Sequence, residues 1–223
     1  IPMARGKSRS GTIDEIINAT HEIHNKNIKE VVLTGVNIGD FRNNGQNFFD
    51  LLKKLDSSSS IPRFRISSIE PNLLTEEMID FILDSEKFNP HFHIPLQSGS
   101  DKILKDMKRR YNTNLYYDRV SYIREKSKYA CIGSDVIVGF PTESDFLFNE
   151  TKEFIESLDI NYLHVFPYSD REKASASLIK NKPKNCDIKE RSKTLRSISD
   201  QKNKFFINQN INKELVVLFE GYD

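Results

Sequence analysis

A chain of 223 residues is long enough to bury a substantial core, in one domain or slightly more. Its hydrophobic content of 37% and charged content of 29% are ordinary for a globular protein and argue against wholesale disorder. No apolar run approaches the roughly 18 residues of a membrane span, and no signal-peptide pattern stands at the start. We therefore expect a cytoplasmic protein without membrane association. The net charge of +1 neither requires nor excludes a nucleic-acid partner.

The first part of the chain alternates between helix and strand patterns. Thr12 and Glu15 have the spacing of a capping box, which predicts that a helix begins there. Apolar residues then recur at helical intervals up to Ile23. The next predicted elements are a buried strand in KEVVLTG at 29–35, a helix at 48–55, a strand in RFRISS at 63–68 and a helix at 78–83.

The same alternation continues to residue 168. The predicted elements are a strand in HFHIPL at 91–96, helices at 103–107 and 116–123, a strand in CIGSDVIVG at 131–139, a helix at 154–158 and a strand in YLHVFPY at 162–168. Strands about thirty residues apart with helices between them have the length of βαβ units. We therefore predict an α/β fold with a parallel sheet, in the form of a partial barrel that lacks its first strand because the repeat begins on a helix.

The character of the sequence changes after Tyr168. A polar stretch indicates a linker, and a long helix follows with Leu195, Ile198 and Phe205 on its apolar side. KELVVLFEG at 213–221 predicts a strand without a partner, which indicates the start of a further β domain. We divide the chain into a core at 1–170, a linker and long helix at 171–212, and the start of the further domain at 213–223.

Polar residues follow most of the predicted strands, and in parallel sheets ligands bind outside the carboxyl ends of the strands. Serine and glycine there also serve as helix caps and turns, and Ser100 suits the cap of the next helix. Gln97 and Glu70 are not favoured caps, so the strand ends predict a pocket for a polar ligand of nucleoside size. The residues are Thr34, Gly35 and Asn37, then Ser67, Ser68 and Glu70, then Gln97, Ser98, Gly99 and Ser100, and last Tyr168 and Ser169.

His91 and His93 lie on one face of a predicted strand and form a candidate metal pair. Packed or hydrogen-bonded histidines are the favoured alternative, because a barrel metalloenzyme needs further ligands at other strand ends. Cys131 and Cys186 are too far apart in sequence to form a metal knuckle. We therefore predict no metal site in this chain.

Two basic stretches are candidates for contact with a phosphate backbone, and RNA is a plausible partner for them. A solvated helix face is the alternative explanation for each charge. The first stretch contains Lys102, Lys105, Lys108, Arg109 and Arg110, and the second contains Lys180, Lys182, Lys184, Lys189, Arg191, Lys193 and Arg196.

Taken together and in order, six motifs resemble the radical S-adenosylmethionine core of the methylthiotransferases. They are IPMARGKSRS, VLTGVNIGDF, RISSIEPNLL, HFHIPLQSGSDKILKDMKRRY, SDVIVGFPTES and HVFPYS, between Ile1 and Ser169. LTGVN and SSIEPN are most similar to the branch that modifies N6-threonylcarbamoyladenosine next to the tRNA anticodon, the MtaB-like enzymes. The branches acting on isopentenyladenosine in tRNA and on a ribosomal protein share much of this core and stay open as alternatives.

The resemblance implies S-adenosylmethionine and [4Fe-4S] clusters as cofactors. In the family a CxxxCxxC loop after the first barrel strand holds one cluster, and IPMARGKSRS resembles the trailing edge of that loop. The ligand cysteines would then precede Ile1, so we expect the fragment alone to be inactive. The implied reaction is radical installation of a methylthio group at C2 of the modified adenosine, with the tRNA anticodon loop and an electron donor for the cluster as partners.

The resemblance also assigns site residues. Thr34, Gly35 and Asn37 are expected near the methionine end of the cofactor, and Arg109 is a candidate partner for its carboxylate. The barrel mouth is expected to be lined by Ser68, Glu70, Gln97 and Ser98, and the adenine by Ile137 to Gly139.

Two segments depart from the family pattern. Thr142, Glu143 and Ser144 replace the usual Gly-Glu-Thr after GFP, and Thr142 can still cap a helix. The expected pattern after FPYS is replaced by DREKASAS. KELVVLFEG resembles the first strand of the small RNA-binding TRAM barrel that ends these enzymes.

Two rival classes remain beside this resemblance. One is a metal-dependent barrel hydrolase or lyase that uses His91 and His93. The other is a non-catalytic module that only binds RNA. Zinc analysis of the purified chain tests the first rival, and the sequence upstream of Ile1 in the gene tests the second.

Overall fold

The computed structural model describes residue 6 and residues 9–171, 174–180 and 182–219. Most of the IPMARGKSRS motif and the last two residues of KELVVLFEG lie outside this part of the chain. The chain forms two compact units, the first ending at His91 and joined by residues from Leu215 onward, and the second running from Phe92 to Glu214. The proposed boundaries at residues 170 and 212 stay predictions.

The first unit begins as the sequence predicts, with a helix followed by a strand. Its elements are α1 (Ile13–Asn25), β1 (Glu30–Leu33), a 3-10 turn (Ile38–Asp40), β2 (Arg42–Asn43), β3 (Gln46–Asn47), α2 (Phe48–Ser58), β4 (Arg63–Ile66) and α3 (Glu76–Asp84). Strands β1 and β4 pair in parallel, with Glu30 opposite Arg63 and Leu33 opposite Ile66. The core of this unit contains Phe48, Leu52, Leu55, Ile61, Phe64, Ile79 and Ile82, none of them more than 1% exposed.

The pair β2 and β3 is an antiparallel hairpin that the sequence analysis missed. Its two turn residues, Asn44 and Gly45, have φ angles of 49° and 78°. Positive φ at both central positions is the geometry of the turn that joins hairpin strands, and Asn-Gly is the dipeptide that favours it. Asn44-Gly45 was therefore the signal available in the sequence.

The second unit carries the remaining parallel strands. Its elements are β5 (His91–His93, whose first residue belongs to the first unit), α4 (Asp101–Asp106), α5 (Thr113–Lys126), β6 (Cys131–Val138), α6 (Asp145–Ser157), β7 (Tyr162–Pro167), a 3-10 turn (Ser175–Leu178) and α7 (Asn185–Asn210). The strands form one sheet in the order β5-β6-β7, with β6 and β7 parallel. The five predicted strands and the α/β fold class are thus confirmed.

The two faces of this sheet differ in exposure. Ile132, Val136 and Leu163 are buried on one face, and α7 runs along the free edge of β7, where Leu163 N donates to Ser199 Oγ at 2.8 Å. The other face, which we call the open face, carries three cross-strand pairs, Gly133–Tyr162, Asp135–His164 and Ile137–Phe166. Because side chains alternate along a strand, these three pairs all project from one surface.

The predicted strand in KELVVLFEG is wrong for its described residues. Residues 213–219 have no regular secondary structure, and Val216 and Phe219 are 90% and 84% exposed. A strand needs a neighbouring backbone to satisfy its N–H and C=O groups, and the hydrogen bond recorded for this segment is the long one that Val216 O accepts from Arg63 Nη1 at 3.5 Å. The β-propensity of residues 213–219 predicted a strand but carried no information on whether a partner strand lies beside it.

No helix in the described part of the chain has both the length and the apolar character to cross a membrane.

The capping box at the start of α1 is confirmed and can be tested by substitution. Thr12 Oγ1 accepts from Glu15 N at 3.1 Å, and Thr12 N donates to Glu15 Oε2 at 2.7 Å. Thr12→Ala removes the side-chain acceptor and should lower the free energy of unfolding by about 1 kcal/mol, measured by urea denaturation. Ser197→Ala, at an exposed position inside α7, is the control, and an equal loss in both variants would contradict the capping account.

Candidate functional site

The end of β1 leaves polar groups at the surface of the first unit. Thr34 and Gly35 are exposed and Asn37 is half-buried. Asn37 Nδ2 donates to Asp40 Oδ2 at 2.7 Å across the 3-10 turn that follows. This hydrogen bond fixes the direction in which the chain leaves the strand.

The neighbouring strand β4 brings further polar residues to the same edge. Because β4 runs parallel to β1 and Ser67 N donates to Leu33 O at 3.0 Å, the two strands end side by side. Ser68 and Glu70, both half-buried, follow at once. The structure therefore brings the five site residues predicted in the first unit to one polar edge, at the carboxyl ends of β1 and β4.

In the second unit, Gln97 continues the sheet beyond β5 in an unusual conformation. Its N–H donates to Asp135 O at 2.8 Å, and its own C=O accepts from Ile137 N at 2.9 Å. Its φ angle is 68°, which is uncommon for a residue other than glycine. These two backbone bonds hold Gln97 beside β6, next to the Ile137–Phe166 pair of the open face.

The residues after Gln97 are held by α6. Ser98 is 3% exposed, and its hydroxyl lies 3.0 Å from Thr151 Oγ1 and accepts from Ser100 N at 3.2 Å. Ser100 was expected to cap α4 with its side chain, but its hydroxyl instead donates to Glu150 Oε2 at 2.6 Å. Ser100 is thus the N-cap residue of α4, as predicted, but it makes no side-chain capping bond because a carboxylate distant in sequence binds its hydroxyl.

A buried ion pair fixes the loop after β6. Gly139 has a φ angle of 83°, and its N–H donates to Glu143 Oε2 at 2.7 Å. Glu143 is 6% exposed and lies 3.1 Å from Arg191 Nη1 of α7. Burial raises the pKa of Glu143, while the bonds from Gly139 and Arg191 act in the opposite direction. Arg191 is 6% exposed, so its inclusion in the basic stretch for RNA contact is wrong.

Thr142 was expected to cap the next helix, and this prediction is also wrong. The cap of α6 is Ser144, whose Oγ accepts from Leu147 N at 3.3 Å. Thr142 Oγ1 donates instead to Asp106 Oδ2 at 2.6 Å. Asp106 also pairs with Lys102 at 2.5 Å, so this contact links the loop after β6 to the end of α4.

The MKRRY motif contributes a residue that the sequence analysis did not assign. Tyr111 is 7% exposed, and its hydroxyl donates to Pro95 O at 2.9 Å. Tyr116 donates in the same way to Ile94 O at 3.0 Å, and burial raises its pKa. The two tyrosines hold the backbone that leads into Gln97. Arg109, which the sequence analysis assigned to the cofactor carboxylate, is half-buried, and its backbone N–H donates to Leu104 O at 2.9 Å.

Loss of the Tyr111 hydroxyl should be costly because it leaves a buried carbonyl without its donor. We expect Tyr111→Phe to lower the free energy of unfolding by about 1–2 kcal/mol, measured by thermal and urea denaturation. Tyr117→Phe, which changes a tyrosine that is 50% exposed, should leave stability unchanged. A Tyr111→Phe variant as stable as the parent would refute this role.

Three titratable side chains meet on the open face. Asp135 Oδ1 lies 3.3 Å from His93 Nε2 and 3.3 Å from His164 Nδ1. Burial acts to raise the pKa of Asp135, but the hydrogen bonds and charges of the two histidines together lower it. His91, the other member of the predicted pair, is not part of this cluster. The sequence could not show the contact because His164 comes from a strand about seventy residues later.

The residues present fit the two implied cofactors differently. A [4Fe-4S] cluster is held by several thiolates, and the sequence contains Cys131 and Cys186 alone. Burial raises the pKa of Cys131 to about 11, which keeps it a thiol, and Cys186 is exposed on α7. This chain's residues therefore do not fit a cluster. For the nucleoside part of S-adenosylmethionine, Ile137 and Phe166 form an apolar pair next to the backbone of Gln97, and an apolar surface with nearby polar groups is typical of small-molecule sites.

Comparison with known families places this chain in a defined group. The profile of the Radical SAM superfamily matches residues 1–155, more than half of the chain. Among solved structures, coproporphyrinogen III oxidase (HemN) from Escherichia coli, a radical SAM enzyme, is similar with a TM-score of 0.56 at 16% identity. The alignment covers 88% of this chain and 46% of that chain. Likeness at this identity shows a shared fold.

Curated relatives carry tRNA-modifying names. The Aquifex aeolicus protein named threonylcarbamoyladenosine tRNA methylthiotransferase MtaB is 41% identical over 98% of this chain and 53% of its own length. The Bacillus subtilis protein of the same name is 37% identical over 99% and 49%. A Thermodesulfovibrio yellowstonii protein named tRNA-2-methylthio-N(6)-dimethylallyladenosine synthase is 33% identical over 100% and 52%. The chain thus spans about half the length of the curated relatives it matches.

Proposed function

This chain belongs to the Radical SAM superfamily, and from that premise we propose that it is the S-adenosylmethionine-binding core of a tRNA methylthiotransferase. The proposed reaction adds a methylthio group at C2 of N6-threonylcarbamoyladenosine next to the anticodon. The observation that carries the proposal is the 41% identity over 98% of the chain to a relative of that name. Action on tRNA also implies a cytoplasmic location, and the proposed radical S-adenosylmethionine chemistry implies an electron donor as partner.

The second candidate substrate is the dimethylallyl counterpart of the same nucleoside position. It is supported by the relative of that name, which aligns along the whole chain at 33% identity. The threonylcarbamoyl branch is favoured because three proteins of that name are 37–41% identical. Both candidates use the same proposed cofactor core.

The second unit supplies surfaces that suit the adenosine part of the cofactor. Ile137 and Phe166 are paired neighbours on the open face and offer apolar area to an adenine ring. Gln97 offers both an amide donor and an acceptor at the edge of this area. Ser98 and Gly139 act indirectly in the proposal, since their polar groups already bond to Thr151, Ser100 and Glu143.

The first unit supplies polar groups for the amino-acid part of the cofactor. Thr34, Gly35 and Asn37 follow β1, and Ser68 and Glu70 follow β4. Taken by itself, Arg109 is proposed to bind a carboxylate, for which a guanidinium is suited. When bound, S-adenosylmethionine supplies a sulfonium centre with activated carbon–sulfur bonds, and the residues named here bind and orient it.

Exposed lysines and arginines of the two basic stretches are proposed to contact the tRNA backbone. Arg191 is excluded from this set because its guanidinium is buried against Glu143. Lys182 pairs with Asp170, which reduces the charge that Lys182 can offer to the tRNA backbone. The residues that remain exposed include Lys102, Lys105, Lys108, Arg110, Lys180, Lys184, Lys189, Lys193 and Arg196.

Binding of S-adenosylmethionine to the chain tests the proposed core by titration calorimetry. Gln97→Asn keeps a side chain that tolerates positive φ but withdraws the amide by one methylene. We expect this variant to bind at least about tenfold more weakly, the cost of one unmade hydrogen bond to a buried group. Gln201→Asn, on the exposed surface of α7, is the matched control. Absence of saturable binding, or equal affinity in Gln97→Asn and the parent, would refute the proposed core.

A further inference from the structure

We propose that His93, Asp135 and His164 form a binding site for a divalent transition-metal ion, with Zn²⁺ as its simplest occupant. One ligand atom from each of these side chains lies within 4.8 Å of the others. The three residues come from the adjacent strands β5, β6 and β7 of one sheet. The proposal is independent of the proposed function, because it concerns metal affinity alone.

The distances match those that a bound ion requires. Ligand atoms about 2.0–2.1 Å from a tetrahedral zinc lie about 3.3 Å from each other. His93 Nε2 and His164 Nδ1 each lie 3.3 Å from Asp135 Oδ1. Two of the three edges of the ligand triangle therefore already have the length of a zinc site.

The chemical nature of the three groups also suits such an ion. Two imidazoles and one carboxylate form a ligand set that holds Zn²⁺ or Fe²⁺ while leaving coordination positions open. Asp135 supplies the carboxylate that lies between the two imidazoles. Two neutral rings and one carboxylate leave a dication with one positive charge, which suits a water molecule or an anionic ligand in an open position.

The surrounding residues orient the rings. The Tyr162 ring lies 5.2 Å from the His164 ring and 6.2 Å from the His93 ring, between ring centroids. Tyr162 occupies the space above Gly133, where a Cβ would stand 2.1 Å from the tyrosine ring. The absence of a side chain at residue 133 thus lets an aromatic ring pack beside both histidines, which reduces the rotamer freedom they would lose on binding.

The site is also accessible. The side chain of His164 is 56% exposed and that of Asp135 is 22% exposed, while that of His93 is 10% exposed. An ion can approach from the open face without displacing core residues. His93 is the more buried ligand, and His164 is the ligand exposed to solvent.

Titration of the chain with Zn²⁺ tests the proposal, with calorimetry for affinity and Co²⁺ visible absorption for coordination geometry. All proteins carry Cys186→Ser, because an exposed thiol binds zinc by itself. We expect one equivalent of Zn²⁺ to bind. His164→Gln and Asp135→Asn should each weaken binding at least about tenfold, since even outer-shell changes at zinc sites cost that much. Far-UV circular dichroism checks that each variant is folded.

His21→Gln is the matched control, since His21 is an exposed histidine on α1, and it should bind Zn²⁺ as the parent does. The proposal is overturned if the parent binds no zinc, if both site variants bind as tightly as the parent, or if the control loses as much affinity as they do. Failure of S-adenosylmethionine binding would leave the zinc result unchanged. Failure of zinc binding would likewise leave the proposed function unchanged.

Discussion

Arg191→Met should lower the free energy of unfolding by about 3–5 kcal/mol, because it removes one partner of a buried ion pair. Glu143 would keep its charge in a site where it is 6% exposed. Met fills much of the volume of the arginine stem, so the loss of stability reports the unpaired charge of Glu143 and not a cavity. For a chain of this size the melting temperature should fall by about 6–20 °C.

Two further variants separate this explanation from a general effect of losing a cation. Lys193→Met changes an exposed residue of the same helix and should leave stability within about 0.5 kcal/mol. Adding Glu143→Gln to Arg191→Met removes the buried charge, keeps an acceptor for Gly139 N–H and should recover much of the loss. A double variant no more stable than Arg191→Met would contradict the ion-pair account.

The same variant should respond to pH with a definite sign. Burial already raises the pKa of Glu143 in the parent, and loss of Arg191 raises it further. A carboxyl group with a raised pKa in the folded state stabilises the fold below its unfolded pKa, and that stability is lost as pH rises through the folded pKa. The deficit of Arg191→Met relative to the parent should therefore be larger at pH 8 than at pH 5. An equal deficit at both pH values would exclude Glu143 as its source.

Gly99→Ala is the second change with a large expected effect. A Cβ at Gly99 would stand 2.8 Å from Thr151 Cα and 3.0 Å from Thr151 O, which are backbone atoms of α6. Because neither can rotate away, the loop or the helix must shift, at a cost of about 1–3 kcal/mol. Urea denaturation of Gly99→Ala measures this cost.

Gly35→Ala is the matched control for Gly99→Ala. At Gly35 the nearest atoms to an added Cβ belong to Ile38 and begin at 3.5 Å, an ordinary contact. We expect this control to keep the stability of the parent to within about 0.5 kcal/mol. The steric account fails if the two alanine variants are equally stable.

Local signals in the sequence predicted most of the elements. The capping box of Thr12 and Glu15 marked the start of α1 because both partners lie within one turn. Short apolar runs marked the strands, but they overstated the burial predicted for the first one, since Val32 is 41% exposed. Asn44-Gly45 marked a hairpin that was overlooked. KELVVLFEG failed because a strand depends on a partner that its own residues do not specify.

The candidate site was less predictable, because its contacts join residues far apart in sequence. Position after a strand was enough to indicate that Thr34 and Ser68 reach one edge. It could not show that Ser100 bonds to Glu150 or that Arg191 is buried against Glu143. The pairing of Asp135 with His164 depends on the register of β6 and β7, which no local pattern specifies. Basic and hydroxyl side chains were thus assigned to solvent or to caps when distant residues bind them.

The proposed reaction is tested most directly by mass spectrometry of tRNA nucleosides from the source organism, with and without the gene that encodes this chain. We predict that deletion removes the methylthio form of N6-threonylcarbamoyladenosine and leaves the methylthio form of isopentenyladenosine unchanged. Restoring the gene should restore the lost nucleoside. Loss of the isopentenyl form alone would show that the second candidate is the substrate. Unchanged levels of both forms would contradict the proposed action on tRNA.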